Sequence, residues 1–206
     1  MKSALVEDKK KRGRKGIPRE LIYEMRYGKP IYYRDYDKVL SGEKTLEEVV
    51  GSGGLQGILV ALLIGFLYSK IDMKKYLLAT NELGYKFAPR SWYNLDVAIF
   101  DREKIDKLPE GYITFPPEVV IEVDTKANLR KFSTPQEYFH RKTQDLLDSG
   151  VKKVIWIFTK EKKVWVAEKE KRWFITDWND TIEVIDGVKL NLSELLKEIS
   201  GGNEKN

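Results

Sequence analysis

Cysteine is absent from the 206 residues, and histidine occurs once, as His140. A disulfide framework and thiolate zinc sites are therefore excluded, and a reducing interior suits such a chain. One histidine argues against histidine metal clusters and most histidine-based triads. Any metal would have to be met by oxygen ligands, which favours Mg²⁺ or Mn²⁺. Long hydrophobic runs are missing too. The longest, "LQGILVALLIGFLYS" at 55–69, is interrupted by glycine and too short to span a bilayer comfortably, so it reads as a buried helix with no membrane partner. The opening "MKSALVEDKKKRGRKG" lacks the apolar stretch of a signal peptide, and a cytoplasmic location is expected.

What is present begins with charge. Lysine and arginine number 37 against 32 aspartates and glutamates, a formal net charge of +5, compatible with a polyanionic partner. Six of the seven residues at 9–15, "KKKRGRK", are basic. That segment is either a solvated arm or a phosphate-contacting one. An apolar content of 42% and this length fit one globular domain at 17–199, flanked by a basic arm at 1–16 and a tail at 200–206.

Local patterning outlines a mixed fold. "LIYEMRYGKPIYYRDY" alternates around Gly28-Lys29-Pro30 and predicts a β-hairpin. Thr45 and Glu48 have capping-box spacing, and the apolar helix follows "GSGG" at 51–54. Residues 75–89 suggest one or two strands with a bend at Asn81–Gly84, and 92–101 a further strand. In "STPQEYFHRKTQDLLDSG" Thr134 can cap, Pro135 suits the first helical position, Glu137 completes the box and Gly150 suits the stop. Strand, turn and strand follow from 152, and "NLSELLKEI" closes with a helix. The sum is α/β or α+β: a central twisted mixed β-sheet flanked by helices, with an N-terminal β-hairpin.

Four polar residues resist this pattern. "PEVVIEVD" is an apolar strand, yet it carries Glu122 and Asp124, which alternation places on one face. Asp96 repeats the conflict in "NLDVAIF". In the helix at 134–149 the apolar stripe is Tyr138, Phe139, Leu146 and Leu147, and Lys142 falls within its arc while Asp145 sits toward solvent or the margin. Each residue has a plain explanation, since acids at strand ends reach water and lysines snorkel. Together, two inward carboxylates and an inward ammonium match the needs of metal-assisted phosphodiester hydrolysis.

The order "LDVAIF", "PEVVIEV", "FHRKTQDLLDSGVKKVIWIF" and "KKVWV" resembles the PD-(D/E)XK, or restriction-endonuclease-like, nuclease superfamily, and more closely the bacterial Uma family within it. The resemblance spans roughly 18–195. It implies a restriction-endonuclease-like fold and a Mg²⁺-dependent (or Mn²⁺-dependent) endonuclease acting on DNA, with a homodimer as the default assembly. Asp96, Glu122, the Val123 carbonyl and Asp124 would be the metal ligands, and Asp96, Glu122, Asp124 and Lys142 the catalytic set. Lys142 would stand in for the motif lysine, close to Glu122 or Asp124, and its replacement by methionine should spare the fold. Lys126 is its rival, expected to find water beyond the strand. The departures are Leu95 for the motif proline, Asp124 for the E-x-K lysine, and Gln56 for a histidine early in the first helix. An alternative reading is a diverged module that keeps the fold but binds nucleic acid or assembles without turnover, with Trp165, Trp173 and Trp178 as stacking or dimer contacts.

Overall fold

The expected hairpin forms, but its turn is Tyr27-Gly28: β1 (Ile22–Arg26) and β2 (Lys29–Tyr32) pair antiparallel, and Lys29 and Pro30, expected in the turn, pair with Arg26 and Met25. The computed structural model describes residues 16–107 and 109–200. The arm expected at 1–16 and the tail at 200–206 lie outside them except for Gly16 and Ser200. A short α1 (Tyr36–Ser41) follows, which the sequence pattern does not announce. α2 (Leu46–Val50) starts from Thr45, whose side chain and that of Glu48 form the reciprocal capping box, satisfying two orphan helix donors.

α3 (Gly54–Lys70) buries Leu59, Leu63 and Leu67, spaced four apart, against the sheet. Each such burial contributes about 1.5–3 kcal/mol relative to exposure. The expectation of a buried helix holds for this face only, because Leu55, Ile58 and Tyr68 are more than half exposed, at 51%, 54% and 64%.

β3 (Tyr76–Ala88) is a single long strand. Asn81 and Glu82 take positive φ where its register with β4 (Ser91–Asp101) shifts. β3 lines one edge of β4. The opposite edge is shared: β1 meets it at Trp92, and β5 (Val119–Val123) pairs with Val97, Ala98 and Ile99. Between these partners, residues 93–96 face a fork in the sheet.

From β5 the chain crosses through α4 (Pro135–Asp148) to β6 (Lys153–Phe158), which lies parallel to β5. β7 (Lys163–Glu168) and β8 (Phe174–Asp177) then continue antiparallel. Outside this main sheet, β9 (Ile182–Ile185) pairs with β10 (Val188–Leu190), a hairpin not anticipated from the sequence, before α5 (Leu192–Ser200). α3, the β9–β10 hairpin and α5 cover one face of the sheet over Val97, Ile99, Ile121 and Ile155. α4 covers the other over Ala98, Phe100, Val120 and Trp156. Both faces of the central strands are therefore dry, which explains their near-continuous apolar runs.

Thr134 caps α4 by accepting from the Glu137 amide at 3.3 Å, and Pro135 occupies the first turn. The Glu137 carboxylate reaches the Ser133 amide instead of closing a box on Thr134. At the far end Gly150 takes φ +113, and an added Cβ would lie 3.0 Å from the Pro116 ring. Gly150→Ala is expected to lower unfolding free energy by about 1–3 kcal/mol in urea denaturation, from strain at a φ that L residues avoid. Unchanged stability would show that the turn relaxes at no cost.

Candidate active site

Along β5, Val119, Ile121 and Val123 pack toward α3, while Val120 packs toward α4. Glu122 shares the Val120 face by alternation. On β4, Ala98 packs toward α4 as well, and Asp96 shares its face. The pairing of Val97 with Ile121, continued by one residue, sets Asp96 opposite Glu122 at the mouth of the fork. Both are buried, at 8% and 1% exposure. The Val123 amide donates to Asp96 Oδ2 at 2.7 Å, so the aspartate side chain bridges β4 to β5. Gln56, in the first turn of α3, donates its amide to the Val123 carbonyl at 3.0 Å and stands 3.5 Å from both Asp96 oxygens. One side-chain amide thus faces three oxygens.

Lys142 lies where helix periodicity turns it, 1% exposed beneath α4. Its ammonium donates to Glu24 Oε1 at 2.7 Å and to the Asn94 carbonyl at 2.9 Å. It stands 3.1 Å from Glu122 Oε1. This last approach is an ion pair without hydrogen-bond alignment, and Glu122 Oε1 has no donor. The rings of Tyr23, Tyr93 and Trp156 surround the ammonium at 5.3–6.0 Å from their centroids. Glu24 is the member of the cluster that sequence reasoning missed. It is fully buried on β1, and its second oxygen accepts from the Tyr138 hydroxyl at 2.7 Å. Its signal was an acid flanked by Tyr23 and Met25, the same anomaly as Asp96. In a hairpin, however, alternation offers a solvent face that makes such an acid unremarkable.

Asp124 does not join the cluster. Its backbone turns to φ +55, ending the alternation that would have aligned it with Glu122. Its two carboxylate oxygens accept from the Thr159 amide at 2.9 Å and the Thr159 hydroxyl at 2.6 Å, tying the end of β5 to that of β6. The structure therefore replaces Asp124 with Glu24 as the second partner of Lys142. Lys126 does not escape to water either; it pairs with Glu82 and donates to the Val50 carbonyl at 3.1 Å. Asp145, expected toward solvent or the margin of the stripe, is buried and accepts from Arg26 and from the Tyr93 hydroxyl at 2.6 Å each.

Burial dominates the electrostatics. It raises the Glu122 pKa well above the ordinary carboxylate value; Lys142 pulls it back, while Asp96 and Glu24 push it further up. Burial also raises Glu24, against Lys142 and the Tyr138 hydroxyl, and raises Asp96, against the Val123 amide. For Lys142 burial works downward, but Glu122 and Glu24 outweigh it and hold the ammonium above its ordinary value. Three carboxylates therefore face one cation. Such an excess of buried negative charge is resolved by proton uptake or by a further positive charge.

This arrangement, a mixed sheet flanked by helices with an antiparallel hairpin and a βαβ crossover, is the restriction-endonuclease-like fold. Among solved structures, that of a candidate nuclease belonging to DUF820 from Anabaena variabilis superposes on 84% of this chain and 89% of its own, with TM-score 0.62 and 15% sequence identity. No family model and no curated protein matches the sequence. Among the described residues no helix is long and apolar enough to cross a membrane.

The buried pairing of Lys142 with Glu24 argues against the expectation that loss of the ammonium would spare the fold. Lys142→Met is expected to cost about 3–5 kcal/mol of unfolding free energy, because Glu24 is left buried without its partner. Adding Glu24→Gln should recover part of that loss; a single variant as stable as the parent would show the ion pair to be dispensable. The second expectation concerns pH. Glu122 has a folded pKa above its reference value of 4.5, so between the two the folded state holds more protons and stability falls as pH rises. Glu122→Gln removes this effect. In metal-free buffer its melting temperature relative to the parent should climb from pH 4.5 upward and level off once folded Glu122 has ionised. A constant difference would mean that Glu122 titrates normally.

Proposed function

We propose that the chain is a metal-dependent endonuclease that hydrolyses phosphodiester bonds of DNA. The observation that carries this reading is Glu122 Oε1, a buried carboxylate oxygen that receives no aligned hydrogen bond and stands 3.1 Å from the shared Lys142 ammonium, opposite Asp96 in a cluster with more carboxylates than cations. The donor set suits a hard divalent cation. It offers two carboxylates and the Val123 carbonyl, all oxygen, and Mg²⁺ is commonly held by one or two carboxylates with water and substrate phosphate completing the shell. Among the described residues no group of three or more acids, histidines or cysteines is gathered at ligand spacing, so substrate and water would supply the remaining positions. When bound, the cation supplies Lewis-acid charge at the scissile phosphate.

The chain's own residues do the rest. Asp96 and Glu122 are fixed by β4 and β5, and the Val123 amide orients the aspartate. Lys142 favours the ionised form of Glu122, acting as a positioning residue, since its ammonium is already shared among Glu24, Asn94 and Glu122. The net charge of +5 favours a polyanion without sequence choice.

One observation favours the second reading, a module that binds nucleic acid without turnover. The Gln56 amide already faces the Asp96 carboxylate and the Val123 carbonyl, so a cation at these oxygens requires that side chain to withdraw. A plasmid assay separates the two readings. The parent protein should nick or linearise supercoiled DNA with Mg²⁺ or Mn²⁺ and not with chelator. Asp96→Asn and Glu122→Gln should each lower the rate by about a hundredfold or more, and Gln56→Ala should tighten Mn²⁺ binding in calorimetry. DNA binding by the parent without cleavage under any cation would select the non-catalytic module.

A further inference from the structure

β2 and the segment that follows β5 are tied edge to edge, with the Asn128 amide donating to the Tyr32 carbonyl at 2.7 Å. Their sequences, "KPIYYRDY" and "NLRKF", interleave basic and aromatic residues. Against the flank of α4 these two segments enclose a cavity of about 230 Å³. We propose that this pocket holds one nucleotide of a single-stranded segment of the substrate. The proposal rests on the nucleic-acid reading above and extends it to a subsite separate from the carboxylate cluster.

The charge lining the pocket is of one sign. Arg26, Lys29, Arg130, Lys131 and Arg141 border it, and no acid does. Three of these are neutralised from behind: Arg26 by Asp145 at 2.6 Å, Arg130 by Asp37 at 2.5 Å, and Arg141 by Glu137. Lys29 and Lys131 have no ion pair among the described residues, and both are exposed. That leaves two ammonium groups without a counter-charge on a rim lined by arginines, and a phosphate is an anion that guanidinium and ammonium groups both bind well.

The aromatic lining supplies the second half of a nucleotide's chemistry. Tyr32 and Tyr36 stack at 4.7 Å with planes 28° apart, and Lys131 lies 5.2 Å over the Tyr32 ring. Phe132 closes the wall and packs edge-on against Tyr138, which donates to Glu24 of the buried cluster. Aromatic platforms beside a basic track are how sequence-tolerant single-strand sites are built, since every base has a π face. Placement agrees. Arg26 follows Glu24 by two residues on β1, about 7 Å at strand rise, and Arg141 adjoins Lys142 on α4. The pocket is therefore built in part on the same two elements, β1 and α4, as the cluster.

The test is fluorescence anisotropy with labelled decathymidylate on the full chain across a salt series. Melting temperatures would verify that the variants fold. Lys29→Ala with Lys131→Ala should weaken binding at low salt and reduce the slope of log affinity against log salt by about 1. Tyr32→Leu should weaken binding about tenfold and leave the slope unchanged. Tyr32→Leu binding within twofold of the parent overturns the proposal, whatever the lysine variant does, because the face is then a basic surface and not a nucleotide pocket. Loss of binding in both variants, with no plasmid cleavage by the parent, supports the pocket while removing the nuclease reading. Cleavage by the parent with binding unaffected in both variants does the reverse.

Discussion

The ammonium of Lys142 is the charge that ties β1, β4 and β5 to α4 at the fork. It joins Glu24 of the hairpin, the Asn94 carbonyl inside the fork and Glu122 of the central strand. Burying such groups costs several kcal/mol per ion, and pairing offsets this only when the geometry is close. The cluster is therefore a poor source of net stability, and α4 is held to the sheet chiefly by the packing of Tyr138, Leu146 and Leu147. What the lysine contributes is selectivity among dockings. A helix shifted by one turn would bury the same kind of apolar stripe but leave Glu24 and Glu122 without a cation.

The fork explains why polar side chains are tolerated at the centre of a dry sheet. Where β1 and β5 part along β4, the ladder has no strand to complete it, and side chains take over. Asp96 receives the Val123 amide, Asn94 donates to the Tyr23 carbonyl at 2.8 Å, and Lys142 donates to the Asn94 carbonyl. Each is a charged or amide group replacing a backbone partner, so satisfying the backbone and assembling the candidate site are the same act.

This also marks what was legible in the sequence. Asp96 and Glu122 stood out because an acid within an apolar strand contradicts the solvation of its neighbours, and Lys142 because 3.6-residue periodicity turned it inward. Glu24 was hidden by a hairpin that offers a polar face. Asp124 does not share the Glu122 face because alternation holds only while the backbone is extended, and a single left-handed residue cancels it. Asp145 was misplaced because its partners, Arg26 and Tyr93, come from remote strands, and periodicity contains no such information. The central strands and α4 were readable from caps and patterns. α1 and the β9–β10 hairpin were not, being too short for a periodic signal.

The sequence distances within the cluster bear on how the chain reaches this state. Glu24 and Lys142 are 118 positions apart, so their contact closes a long loop and is of the non-local kind that slows folding. Until α4 docks, the acids of β1, β4 and β5 approach one another with no cation between them. Strand assembly alone is thus opposed by like charge, and helix docking relieves it, which makes the two events cooperative. A collapsed intermediate with the sheet formed and α4 detached would be unstable at neutral pH and favoured by acid, where those carboxylates carry protons.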